Sequence, residues 1–264
     1  MYKNNHLFVF ILFAIVISGC TSTQVRDEID PWEDWNRKVH SLNDTLDEHL
    51  MKPGAKGYRW ITPSFVDKSI TNVFSNINDI GVTINDLLQG KLKQSGLDFS
   101  RFLVNSTIGV GGLIDVASMI ELPKHKEDFG QTLGVWGVPT GPYIVLPFFG
   151  PSSARGIGGL MGDAALNPIS YTGFWVPYLS TGLFVLDTVD KRADNLGAER
   201  IANEAAAFGR YEFFRDAYIA KRRSLVLDGN VPEEDDLLLD LDDDVLLDID
   251  EDYNEFDGLE SVKP

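Results

Sequence analysis

The 264-residue chain has one cysteine, four histidines and few basic residues. A single cysteine excludes an intrachain disulfide bond and a metal site built from several cysteines. The 23 Lys and Arg residues are outnumbered by 40 Asp and Glu residues, so the net charge is −17. Nucleic-acid binding needs a basic surface, and so few histidines leave a small supply of general bases for catalysis. The sequence therefore predicts no nucleic-acid partner, no enzyme, and no metal or cofactor site.

Most of the negative charge lies at the C-terminal end. Residues 233–264 hold fifteen acidic residues and one lysine, a net charge of −14, which leaves −3 for residues 1–232. Such a charge density is typical of a disordered, solvated segment, although the leucines between the acids also fit a short helix that docks on a basic partner. We predict a helical domain over residues 30–228 and a disordered acidic tail over residues 229–264.

The N-terminal end has the pattern of an export signal. One lysine precedes Leu7–Ile17, an unbroken run of eleven apolar residues. That run is too short for a membrane-spanning helix, which needs about 20 residues, but it matches the apolar region of a secretory signal. We predict that residues 1–19 are a signal peptide.

Cys20 ends a sequence, Ile17-Ser18-Gly19-Cys20, that is similar to the cleavage box of bacterial lipoproteins. The cysteine of such a box becomes the new N-terminus and carries lipid, and more than one acyl chain anchors a protein stably. Cys20 is therefore the predicted lipid-attachment residue, and residues 20–29 are a tether. Thr21 stands where an aspartate would typically signal retention in the inner membrane, so the resemblance to sorted lipoproteins implies an outer-membrane destination. An ordinary signal followed by a chance cysteine is the weaker alternative.

Apolar residues recur every three or four positions through most of the body, which is typical of amphipathic helices. A first helix is predicted to begin at Asp30-Pro31-Trp32-Glu33, a capping sequence, and to end at Pro53-Gly54. A second should run over 62–90, a third over Leu92–Asn105 and a long fourth over Thr181–Arg223. No segment alternates strictly between apolar and polar residues, so the predicted fold class is all-α, with little strand.

Two segments, 131–153 and 164–186, contain 23 residues each without a charge. The length would suffice to cross a bilayer, but prolines remove backbone donors and break a straight helix. A buried core is one interpretation. We favour membrane-embedded turns that are half immersed, because Trp and Tyr are enriched at membrane interfaces. The predicted membrane-contacting residues are Trp136, Tyr143, Phe148, Phe149, Phe174 and Trp175.

A polar stretch rich in glycine follows the third predicted helix. Its candidate residues for the lining or gate of a channel are Asn105, Ser106, Thr107, Gly109, Gly111, Gly112 and Asp115. Glycine lets the backbone approach closely and adopt positive φ, so the same stretch also fits a tight turn between a helix and a loop. Both interpretations stay open at this point.

Five motifs occur in one order between residues 30 and 223. They are DPWEDWNR at 30–37, NDLLQGK at 85–91, RFLVNSTIG at 101–109, GGLIDVA at 111–117, and FGQTLG at 129–134 followed by GPY and LP. The set resembles the MlaA family, also called VacJ, of outer-membrane lipoproteins in the Mla phospholipid-transport pathway. The resemblance implies a helical ring with a central amphipathic channel, lying in the inner leaflet of the outer membrane and associated with a trimeric porin. It also implies that phospholipids leave the outer leaflet for a soluble periplasmic lipid-carrier protein, which maintains lipid asymmetry.

Two other functions are compatible with the sequence. A membrane-bound lipase or esterase would use Ser152, in a sequence one residue away from G-x-S-x-G, although a proline directly before the serine is unfavourable for a nucleophile elbow. A structural lipoprotein would only join the envelope to a porin. Neither alternative requires intact phospholipid to leave the outer leaflet.

Replacing Cys20 by serine should leave an uncleaved or soluble form and abolish function, because the acyl anchor is lost. Fractionation of the cell envelope with immunodetection of the protein checks this outcome. A Cys20→Ser protein that still fractionates with the outer membrane and retains normal activity would show that the lipoprotein assignment is wrong.

Overall fold

The computed structural model of the chain describes residues 29–173, 176, 178–197 and 209–231. Helices make up most of these residues, and two short strands form the one sheet within the described ranges. The all-α prediction is confirmed. The predicted signal peptide, the lipid-attachment residue Cys20 and nearly all of the predicted acidic tail lie outside the described residues.

The first helix is longer than predicted. Helix α1 spans Glu33–Leu46 and continues through a π-helical turn, Asp47–Met51, into α2, Lys52–Ile61. The predicted end at Pro53-Gly54 is wrong, because the π turn widens the helix just before the proline. Pro53 has no N–H to donate, and it stands in the first turn of α2, where the helix tolerates this loss.

Two long helices form an antiparallel hairpin. Helix α3 spans Ser64–Gln89 and ends at Gly90, whose φ of 79° is the left-handed conformation that terminates helices. Helix α4 spans Leu92–Thr107, which confirms the third predicted helix to within two residues. The Ser95 hydroxyl donates to the Thr83 carbonyl across the pair at 3.0 Å. The 26 residues of α3 extend over about 39 Å at 1.5 Å per residue, so this helix can line a site along much of the domain.

The remaining described elements are mostly shorter. They are α5, Val116–Met119; α6, Phe129–Val135; β1, Tyr143–Leu146; β2, Gly150–Ser153; α7, Ala154–Leu166; α8, Ile169–Thr172; α9, Leu179–Asp194; and α10, Arg210–Val226. Strands β1 and β2 pair antiparallel, with Tyr143 opposite Ser153. The long fourth helix predicted over Thr181–Arg223 is wrong, because α9 ends at Asp194 in a turn that contains Gly197.

A small apolar core lies where the β-hairpin meets α1 and α10. Its buried members are Val39, Tyr143, Val145 and Tyr211. The rings of Tyr143 and Tyr211 meet edge-on, with centroids 6.3 Å apart. Tyr143 is only 2% exposed, so the prediction that it contacts the membrane is wrong. Successive strand residues point to opposite faces, and in β1 the face of Tyr143 and Val145 is the inner one.

Asn36 joins this core to the chain that precedes α1. Its Nδ2 donates to Asp30 Oδ1 at 2.7 Å and to the Tyr143 carbonyl at 3.1 Å. Its Oδ1 accepts from the Val145 N–H at 2.8 Å. The Tyr211 hydroxyl donates to the other oxygen of Asp30. Asp30 therefore does not cap α1 as predicted, because its carboxylate is used inside the core, and α1 begins without a side-chain cap.

Replacing Asn36 by alanine should lower the free energy of unfolding by about 2 kcal/mol or more, because the buried Val145 N–H loses its partner. Denaturant unfolding of the purified protein, followed by circular dichroism, measures this change. Asn195→Ala is the matched control, since the exposed Asn195 side chain donates to a carbonyl of its own helix. Its effect should be about 0.5 kcal/mol or less. Equal effects of the two substitutions would show that Asn36 does not hold the core.

Candidate functional site

The described helices and the β-hairpin line a partly open cavity of about 700 Å³. Its wall combines the middle of α3, the loop before α6, α6 itself, the β-hairpin, α7, α9 and α10. This volume lies in the range of small-molecule binding sites. Because the wall draws on segments that are distant in sequence, the cavity is a property of the whole domain.

One part of the cavity wall is apolar. Leu146 and Phe149 come from the β-hairpin, Leu160 and Met161 from α7, and Phe184 from α9. The centroids of the Phe149 and Phe184 rings lie 6.5 Å apart. Phe149 is also 60% exposed, so this residue belongs both to the cavity and to the outer surface. Hydrocarbon bound along this wall would therefore lie next to the outside of the protein.

The other part of the wall is polar and charged. Its side chains are Asn78, Asn85, Lys126, Glu127, Asp128, Gln131, Asp163, Asn167, Ser170 and Lys221. Sequence reasoning did not find this set, because its members come from α3, a loop, α6, α7 with the residue after it, α8 and α10. Asn85 and Gln131 could have been found, since each lies in one of the motifs named above. A cavity lined by both apolar and polar side chains can accept a molecule with a polar head and an apolar tail.

Asp128 links the polar wall to α10. Arg222 donates to both of its oxygens, at 2.5 and 2.9 Å, and the Gln131 N–H donates to it at 2.8 Å at the start of α6. Burial alone would raise the pKa of Asp128, but the hydrogen bonds and charge of Arg222 outweigh burial and hold this pKa below its usual value. The carboxylate therefore stays ionised and paired at neutral pH.

Two further carboxylates of the wall have fixed partners. Glu127 accepts from Lys91 Nζ and from Gln89 Nε2, each at 2.9 Å, which attaches the loop before α6 to the turn between α3 and α4. Asp163 accepts from the Phe129 N–H at 2.8 Å. Burial raises the pKa of Asp163 to about 6, so this group takes up a proton in mildly acidic solution.

Two of the candidate gate residues, Asn105 and Asp115, meet in an internal network. Asn105 Nδ2 donates to Asp115 Oδ1 at 2.9 Å, and Asn105 Oδ1 accepts from the Ala117 N–H at 2.9 Å. Arg101 donates to both Asp115 oxygens at 3.1 Å. Burial alone would raise the pKa of Asp115, but hydrogen bonds from Ser118 and Asn105 and the charge of Arg101 lower it. The network fixes α5 against the end of α4.

The other candidate gate residues form the last turn of α4 and the turn that follows it. The Ser106 hydroxyl accepts a hydrogen bond from α3 at 2.9 Å, and Thr107 is exposed and donates back into its own helix. Gly111 and Gly112 have φ values of 71° and 91°, and a Cβ on Gly109 would lie 2.2 Å from a backbone carbonyl. This geometry supports the tight-turn interpretation. None of the seven candidates lines the cavity, so a gating role stays a prediction.

Three of the predicted membrane-contacting residues lie on the outer surface. Trp136, Phe148 and Phe149 are exposed, the last two at the tip of the β-hairpin. Phe174 and Trp175 lie outside the described residues. Contact of any of these residues with lipid stays a prediction. No helix in the part of the chain that the structure describes is both long and apolar enough to cross a membrane.

The surface between α2 and α3 is also apolar, which the sequence analysis missed. Trp60 is 87% exposed and Phe65 is 72% exposed. Both flank the break between the helices at Thr62-Pro63. Apolar residues on both sides of a helix break could have indicated this exposed apolar surface from the sequence. Exposed apolar surface of this kind marks contact with lipid or with another protein.

Ser152 does not have the surroundings of a catalytic serine. It is a buried residue of β2, paired with Ile144 of β1. The histidines of the described ranges have other contacts. His40 packs on Tyr211, His49 bonds to a carbonyl of its own helix, and His125 pairs with an aspartate. The geometry therefore gives no support to the lipase alternative.

Taken together, the fold and the cavity define a class: mostly helical proteins with an apolar outer surface around an amphipathic cavity. Within that class, the model of the family described as MlaA lipoprotein matches residues 28–225. The chain belongs to the MlaA lipoprotein family.

Relatives align with nearly the whole chain. The "Intermembrane phospholipid transport system lipoprotein MlaA" of Haemophilus influenzae is 31% identical, over 91% of this chain and 100% of that protein. The protein of the same name from Escherichia coli K12 is also 31% identical, over 86% of this chain and 92% of its own length. A solved structure, reported as "Structural basis for maintenance of bacterial outer membrane lipid asymmetry", matches with a TM-score of 0.66 and 31% identity. That match covers 75% of this chain and 98% of the other.

Replacing Gly112 by valine should destabilise the protein, by about 1 to 3 kcal/mol, because φ is positive and the new Cβ would lie 2.8 Å from Asn76. Thermal unfolding measures the loss. Gly96→Val is the matched control, since Gly96 lies in α4 with nothing within 4 Å of an added Cβ. A Gly112→Val protein of normal stability that alters outer-leaflet phospholipid content would favour the gate over the turn.

Proposed function

We propose that this chain moves phospholipids between membranes without cleaving them, and so maintains the lipid asymmetry of the outer membrane. The observation that carries the proposal is the cavity, whose wall combines apolar side chains with polar and charged ones. The names of the Haemophilus and Escherichia relatives, and the subject of the matching structure, support the same function.

The polar and apolar parts of the cavity wall suit the two chemically different parts of a phospholipid. Transfer of an unpaired charged headgroup into hydrocarbon costs several kcal/mol or more, and transfer of acyl chains into water is unfavourable by about 0.8 kcal/mol per CH₂. Asn78 and Ser170, two exposed polar residues of the wall, offer hydrogen bonds to the headgroup, while Phe149 and Phe184 offer apolar contact to the tails. Each part of the lipid then keeps an environment close to the one it leaves.

We further propose that the protein is anchored at the outer membrane through Cys20, faces the periplasm and lies partly in the inner leaflet. The exposed apolar residues at the hairpin tip and between α2 and α3 support this placement. A trimeric porin and a soluble periplasmic lipid-carrier protein are the proposed partners. A purely structural lipoprotein would need no amphipathic cavity, so the cavity favours transport over that alternative.

Replacing Gly81 by phenylalanine should block transport without unfolding the protein. Gly81 lines the cavity from α3, and a Cβ there meets nothing within 4 Å, so the new ring would fill space that the lipid needs. In a strain that lacks the wild-type protein, Gly81→Phe should leave phospholipid in the outer leaflet at the level of the strain with no protein at all.

Gly96→Phe is the matched control for Gly81→Phe. It adds the same side chain to a helix, at an exposed site that does not line the cavity, so it should restore asymmetry. Circular dichroism shows whether each variant is folded. Normal lipid asymmetry with a folded Gly81→Phe protein would contradict a transport role for this cavity.

A further inference from the structure

Two lysines of the polar wall, Lys126 and Lys221, have no counter-ion among the described residues. Both line the cavity and both are exposed, so they stand where the cavity meets solvent. Neither forms an ion pair or a side-chain hydrogen bond in the described part of the chain, whereas Lys91 and Arg222 nearby are paired.

The fold holds these two lysines in neighbouring segments. Lys126 lies two residues before Asp128, and Lys221 lies directly before Arg222. The bidentate Asp128–Arg222 pair joins the two segments, so the lysines flank one fixed ion pair. The Lys126 backbone is itself held, because its carbonyl accepts from Gln131 Nε2 at 2.9 Å.

The acidic groups of the same wall do not neutralise the lysines. Glu127 is bonded to Lys91, and Asp128 is bonded to Arg222. Asp163 is mostly buried, and it accepts from the Phe129 N–H. The wall therefore presents two uncompensated ammonium groups, in the same cavity as the apolar residues of the hairpin and α7.

We propose that Lys126 and Lys221 together bind the phosphate of a glycerophospholipid headgroup as it enters the cavity, and that they favour headgroups with net negative charge. This inference rests on the proposed transport function and names its substrate preference. Lysine binds phosphate as a point charge with three donors, and its methylene stem can lie along apolar surface while the ammonium stays wet. In a zwitterionic headgroup the lipid's own amine already offsets the phosphate, so two lysines gain less from it.

The test is a competition between two lipids on the full-length protein in detergent. The protein is incubated with an equimolar mixture of phosphatidylglycerol and phosphatidylethanolamine, and the bound lipids are identified by native mass spectrometry. The variants are the Lys126→Gln/Lys221→Gln double substitution and, as a control, Lys38→Gln/Lys93→Gln. The control lysines are exposed and lie outside the cavity wall.

The double variant in the cavity should lower the bound ratio of phosphatidylglycerol to phosphatidylethanolamine by about threefold or more, which corresponds to the loss of two exposed charge contacts. The control should keep the wild-type ratio, and added salt should reduce the wild-type preference. An unchanged ratio in the double variant, or equal loss of both lipids, would overturn the proposal.

Two further measurements distinguish failure of the lysine proposal from failure of the proposed transport function. Inorganic phosphate at the concentration of the lipid should not displace phosphatidylglycerol, and displacement would assign the lysines to free phosphate instead. Wild-type protein that binds neither lipid would contradict the proposed function itself. Wild-type protein that binds both lipids, loses both in Gly81→Phe and shows no effect of the lysine substitutions would contradict only the lysine proposal.

Discussion

The ion pair between Asp128 and Arg222 is the contact on which the cavity depends. It joins residues 94 positions apart and ties the start of α6 to α10. The same carboxylate accepts the Gln131 N–H, so one side chain fixes a helix end and a long-range contact. A Cβ on Gly130 would lie 2.7 Å from the Arg222 guanidinium, so the pair also needs a glycine beside it. Removal of either partner would leave an uncompensated charge in a largely buried place.

Within the described residues, more polar and charged side chains than apolar ones are fully buried, and many large apolar side chains are exposed. The apolar core is small, while Asp79, Asp98 and Arg101 are almost fully buried between α3, α4 and the chain that follows. These groups have partners: Lys124 binds Asp79 at 2.6 Å and His125 binds Asp98 at 2.7 Å. Matched polar contacts thus hold the helices together, which leaves large apolar side chains free to cover the outside.

The sequence predicted what depends on local periodicity and missed what depends on tertiary contacts. Helices α3 and α4 followed from their apolar spacing and the glycine between them. The end assigned at Pro53 was wrong because a π turn, which composition does not reveal, carries the helix past it. Asp30 looked like a cap, yet Asn36 and Tyr211, the latter 181 residues away, bind its carboxylate.

The prediction of the candidate site also failed where the site depends on tertiary contacts. The gate residues were chosen from one contiguous polar stretch, and they form a turn and an internal network there. The cavity wall comes from segments between Ile77 and Leu225, so no local pattern marks it. Of the aromatic residues chosen for membrane contact, Tyr143 lies in the core because strand pairing, which spacing alone did not indicate, turns it inward.

Phe149 belongs to two surfaces at once, because its ring lines the cavity and is also largely exposed on the outside. With the protein placed in the leaflet as proposed, the surrounding hydrocarbon and the apolar wall of the cavity would share a border at the tip of the β-hairpin. On the proposed function, acyl chains cross this border sideways and need not pass through water. The rate of loading then follows the lateral diffusion and chain order of the surrounding leaflet, so a colder or more saturated membrane slows the protein without any change in its own structure.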